Sequence, residues 1–124
     1  MIKTILAIGI GGAAGSLLRY FIGVLAARPF TSFPVSTFII NIAGCFLVGL
    51  FYAMSLKYNW ISTEWRLFLM TGFCGGFTTF SAFALENIKL LQNGEISIFL
   101  MYAFLSIGVG LIAVLGGINL LKLF

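Results

Sequence analysis

Thr71-Gly72-Phe73-Cys74-Gly75-Gly76-Phe77-Thr78-Thr79-Phe80-Ser81-Ala82-Phe83 is the stretch that decides this chain. Three glycines, four hydroxyls and four phenylalanines share thirteen positions, with no charge among them. Each glycine weakens a helix by about 1 kcal/mol relative to alanine. Thr78 and Thr79 offer the backbone competing hydrogen bonds. The pattern predicts a helix broken near its middle. Broken backbone at membrane depth persists only where protein or a cavity satisfies it. Freed carbonyls grouped across a two-fold axis suit a small cation; freed N–H groups and half-helix dipoles suit an anion. An unbroken small-residue packing face is the plainer alternative.

The surroundings make the membrane the solvent. The chain has 124 residues, 61% hydrophobic and 8% charged, against about a quarter charged in soluble domains. Charge-free runs lie between Lys3 and Arg19, Arg28 and Lys57, Arg66 and Glu86, and Glu95 and Lys122. A helix needs about 20 residues to cross the hydrocarbon. Spans are expected near 4–27, 36–56, 66–85 and 96–121, joined by Arg28-Pro29-Phe30-Thr31-Ser32-Phe33-Pro34, by 57–64 and by 86–95. The expectation is one all-α transmembrane domain over residues 1–124, with no room for a soluble domain. Lys3 and Leu25-Ala26-Ala27 imitate a signal peptide, but the apolar stretch is too long and Arg19 interrupts it.

Composition also excludes chemistry. There is no His, and Cys45 and Cys74 both fall within spans, so neither a zinc site nor a disulfide is expected. Three acidic residues leave little for carboxylate catalysis, and no nucleophile–base pair is visible. The net charge of +4 is scattered rather than gathered into a nucleic-acid patch. With both termini on one side, Lys3, Lys57, Arg66 and Lys122 stand against Arg28 and Lys89. That bias is weak and permits insertion both ways up, hence an antiparallel dimer, without requiring one.

Helix faces supply the candidate site. Ala7, Gly11, Gly15, Arg19, Gly23 and Ala27 recur every fourth residue, which sets Arg19 on a small-residue face. Arg19 either snorkels and fastens helix ends or serves a pathway. Thr37, Asn41, Cys45 and Gly49 form a second stripe, in which Asn41 is helix–helix glue or a donor into a pore. Tyr102, Ser106 and Gly110 suggest a polar track on the fourth span. Phe80 and Phe83 lie three apart on one face beyond the glycines. A phenyl edge is electropositive, so ring edges aimed into a pore stabilise an anion without a fixed cation. The nearby donors are Asn41, Thr79, Ser81, Tyr102 and Ser106.

These residues resemble the small bacterial fluoride channels, called Fluc or CrcB. The resemblance rests on Gly11-Gly12-Ala13-Ala14-Gly15-Ser16-Leu17-Leu18-Arg19-Tyr20, on Asn41 with Gly44, on Gly72 through Phe83 running to Glu86, and on Tyr102 with Ser106. It implies an antiparallel homodimer with two pores in the bacterial inner membrane. It implies passive efflux of fluoride that entered as hydrogen fluoride. By analogy Asn41 hydrogen-bonds fluoride, Phe80 and Phe83 form an aromatic box, and Tyr102 and Ser106 begin the track. Glu86 and Thr37 lie near the path, and Arg19 near an aqueous vestibule. Backbone carbonyls of Gly75 and Thr78 from both chains would hold a structural Na+ at the dimer centre. Some relatives carry a second serine where this chain has Gly110. The rival is a small multidrug-resistance exporter, which needs a mid-span carboxylate; here the first span offers Arg19, and Glu86 ends the third.

Overall fold

The structure is a computed structural model that describes residues 1–29 and 31–124. Phe30, in the first expected connection, lies outside the described residues. All regular elements among the described residues are helical. Helix α1 covers Ile2–Leu25 and α2 covers Val35–Lys57. α3 starts as Thr63–Arg66, continues as a π-helical stretch Leu67–Cys74, and ends in the turn Gly75–Phe77. α4 is Phe80–Gln92, and α5 is Ile96–Leu120 with a 3-10 turn Leu121–Leu123 behind it. Four segments are long and apolar enough to cross a membrane: α1, α2, Thr63–Gln92 and Ile96–Leu123.

Each boundary has a local cause. The Ser62 hydroxyl accepts from the Trp65 N–H at 3.3 Å and starts α3. Thr79 caps α4 in the same way, through the Ala82 N–H at 3.2 Å. Lys57 donates to the Leu121 carbonyl at 3.2 Å, a charged donor at the C-terminal end just beyond α5. The third crossing runs beyond the expected 85, to Gln92. Glu86 reads in sequence as a membrane edge, yet its carboxylate accepts two hydroxyl hydrogen bonds, and the helix carries it inward. The helix stops where Gly94 takes φ 76°, a conformation only glycine adopts without strain.

The helices pack as two pairs, α1 with α3 and α2 with α5, while α4 leans on α5 and α2. In lipid, apolar surface gives helices no reason to associate, so close backbone approach has to do so. A Cβ at Gly15 would fall on the Phe73 carbonyl, and one at Gly11 on the Phe68 carbonyl. From the other side, a Cβ at Gly72 would stand 2.8 Å from the Ile8 carbonyl. The Gly11–Gly15 part of the first span's small-residue stripe is therefore the α1–α3 seam, whereas Gly23 has nothing within 4 Å. Gly49 and Gly117 do the same for α2 and α5, against Val114 and Phe46. Long apolar side chains such as Ile5, Leu17, Ile107 and Leu111 point outward, as a lipid-facing surface requires.

Candidate functional site: a groove at the Thr78–Thr79 step

Between α3 and α4 two residues leave the helical conformation. Thr78 has φ −80° and ψ 159°, and Thr79 has φ −148° and ψ 110°. The end of α3 is closed by Thr78 itself, whose N–H and Oγ1 both donate to the Cys74 carbonyl, at 3.0 and 2.9 Å. Asn41 reaches across from α2: its Nδ2 donates to the Thr79 carbonyl at 3.2 Å, and its Oδ1 accepts from the Thr79 N–H at 2.8 Å. In a continuous α-helix that N–H would bond Gly75, four residues back. Gly75 is exposed and its carbonyl is left out of that ladder.

An open groove of about 430 Å³ borders this step. Asn41, Gly75, Thr78, Thr79, Phe80, Phe83 and Ser106 line it, with Cys45 and Cys74, both free thiols. None of the described residues lining it carries a charge. Phe80 is 79% exposed, and its ring centre lies 5.8 Å from that of Phe83. The Ser106 hydroxyl is buried and has no partner. Ser81 is exposed, its Oγ 3.4 Å from Thr79 Oγ1. The groove thus offers one unused Asn41 N–H, one free hydroxyl and two phenyl rings.

Thr37, Glu86 and Tyr102 form a second cluster. Thr37 donates to Glu86 Oε1 at 2.6 Å and Tyr102 to Glu86 Oε2 at 2.7 Å. Both lengths are those of well-formed O–H···O hydrogen bonds. Tyr102 is fully buried; its ring centre lies 5.0 Å from Phe83 and 5.3 Å, edge-on, from Phe33. Phe83 therefore joins the cluster to the groove. Both hydroxyl hydrogens are committed to the carboxylate, so this part of the expected track presents no free donor.

Arg19 stands apart from both, on a groove of about 420 Å³ lined also by Ser36, Thr37, Thr79 and Ala82. Its Nε is buried without a partner. The residues expected from sequence thus fall into three groups, and Thr37 and Thr79 border more than one. Three further polar contacts were not anticipated. Asn87 is buried and donates to the Phe83 carbonyl at 2.8 Å, while its Oδ1 has no partner. Ser16 Oγ donates to the Gly76 carbonyl at 3.5 Å. Ser32 donates to Glu95 at 3.0 Å. The four-residue spacing from Phe83 is the one sequence signal that would have placed Asn87 on the inner face. No group of three His, Cys, Asp or Glu that could hold a metal occurs among the described residues.

Residues 6–118 match the family described as CrcB-like protein, camphor resistance (CrcB). A protein of Azobacteroides pseudotrichonymphae genomovar. CFP2, named fluoride-specific ion channel FluC, is 46% identical over 125 residues, covering 100% of both chains. Its namesake from Flavobacterium psychrophilum is 47% identical over 121 residues, 97% of this chain and 98% of its own. The one from Bacteroides fragilis is 46% identical over 119 residues, 93% of each. Four apolar crossings, the glycine-to-carbonyl seams and a family match over nearly the whole length agree, and the chain belongs to the CrcB family.

Proposed function

We propose that this chain is a fluoride-specific ion channel, not an enzyme, through which fluoride leaves the cytoplasm passively. The observation that carries the reading is identity of 46% along the full length of a protein named for that activity. The groove supports it chemically. A small, strongly hydrated anion needs donors to replace its water, and conduction needs those contacts weak enough to release it. The Asn41 N–H, the Ser106 hydroxyl and the edges of Phe80 and Phe83 are such contacts, and no fixed cation holds the ion there. Thr37, Glu86, Tyr102, Thr79 and Ser81 border the same route, and Arg19 its vestibule.

The active unit in this reading is an antiparallel homodimer in the bacterial inner membrane, with the third crossing interrupted at mid-depth. Two observations support it. Phe80 is 79% exposed on the single chain, beside a groove open on one side. The Lys and Arg, four at one end against two at the other, give only a weak bias, which permits insertion both ways up. Carbonyls suit Na+, and the Gly75 carbonyl is outside the helical ladder, so Gly75 and Thr78 of two chains fit a structural sodium ion. It would pin the two interruptions together.

Anion efflux from liposomes tests the function. Vesicles loaded with fluoride should empty on the order of a hundredfold faster than vesicles loaded with chloride, a selectivity of about 2.7 kcal/mol. Vesicles that stay sealed, or that release chloride as readily, overturn it. Impermeant amine labelling at Lys57 tests orientation: modification from both sides of one vesicle preparation supports dual insertion, and modification from one side refutes it.

A further inference from the structure

Asn41 makes two hydrogen bonds to one residue, with donor and acceptor both engaged. A residue offers its N–H and C=O side by side to a single planar amide only when extended, as in a hydrogen-bonded strand pair. In a helix the two groups point in opposite directions along the axis. Thr79 is extended, at φ −148° and ψ 110°. The competing helical state would return its N–H to Gly75. One turn along α2 the same helix presses on the neighbouring residue: a Cβ at Gly44 would overlap Thr78 Cγ2 and stand 3.3 Å from the Phe77 ring. The seat under the step is therefore shaped by an amide at one point and by a missing side chain at the next.

We propose that Asn41 is a positioning residue, whose amide holds Thr79 extended and so keeps the third crossing open and aims Phe80 and Phe83 at the groove. The inference rests on the channel reading and assigns Asn41 a task other than touching the ion. Alanine at 41 removes both bonds. Aspartate keeps the acceptor for the Thr79 N–H but loses the donor and sets a negative oxygen against the Thr79 carbonyl. Alanine at 44 leaves the amide intact and dislodges the step by contact alone.

The test uses the full chain, carbon-13 labelled, in lipid nanodiscs without fluoride, with the Thr79 Cα and Cβ shifts read by NMR. These shifts distinguish extended from helical backbone. The wild type should read extended. Asn41→Ala, Asn41→Asp and Gly44→Ala should each move Thr79 toward helical values and slow fluoride efflux from liposomes on the order of tenfold or more, the cost of misplacing a binding group. Asn41→Ala or Asn41→Asp that slows efflux while Thr79 keeps its extended shifts overturns the proposal and makes Asn41 a ligand only. Gly44→Ala that moves the Thr79 shifts without slowing efflux also overturns it. Shifts that respond as expected in a chain whose wild type passes no fluoride support the clamp and remove the channel reading instead.

Discussion

The two halves of the third crossing are held by different means. α3 lies on α1 through glycines that let backbone touch backbone, and nothing but peptide lies between Gly15 and Phe73. α4 is held by side chains: Glu86 between Thr37 and Tyr102, and Asn41 on the step that precedes it. The first arrangement tolerates no added volume and carries one long polar contact, from Ser16 to the Gly76 carbonyl. The second is sparse, polar and directional, and the aromatic pair projects from it. The difference separates what fixes the crossing in place from what, in the proposed channel, faces the ion.

Substitution at the seam should have the largest effect. Gly15→Leu is expected to cost about 3 kcal/mol or more through overpacking, read as loss of folded protein on size exclusion in detergent, whereas Gly9→Leu, with nothing within 4 Å, should be tolerated. Equal tolerance at both positions would erase the distinction between the halves. Next is Phe83→Ile. It should cost about 1 kcal/mol of stability, because the ring packs on buried Tyr102, and slow fluoride efflux on the order of tenfold. Undiminished flux from the folded variant would take the ring out of the path. Phe80→Ile is expected to slow efflux likewise.

Smaller again is Thr37→Val, which removes one donor from Glu86 and should destabilise by about 1 kcal/mol, with Tyr102→Phe matching it at the other oxygen. A double variant that costs less than the sum would show that the two hydroxyls act on one carboxylate. The least effect belongs to Ser16→Ala. Its 3.5 Å bond to Gly76 lies within the backbone-to-backbone seam, and the change should fall within about 0.5 kcal/mol in unfolding measurements. A larger loss would make that contact, and not backbone packing alone, part of what holds the seam.

The four crossings were legible because lack of charge over about 20 residues has one physical meaning. The stripe through Gly11 and Gly15 was legible because a four-residue period has one face. Asn41 was readable as a residue that bonds between helices, but its partner is a peptide group, and no side-chain pattern announces that. The Thr37–Glu86–Tyr102 cluster draws on three helices, and no periodicity connects residues 37, 86 and 102. That is also why Glu86 looked like an end and not an interior group. The π-helical stretch Leu67–Cys74 had no signature, since Thr71 and Gly72 weaken a helix without specifying a wider turn.

The glycine-to-carbonyl seam has a mechanical consequence. Side chains at an interface can change rotamer and let two helices slide, but peptide groups in contact have no such slack. α1 and α3 therefore move as a single plank. When the bilayer thins or thickens, the plank tilts as one piece, and the adjustment falls on the free ends of the other helices. The Thr78–Thr79 step, which begins where the plank ends, is carried with it.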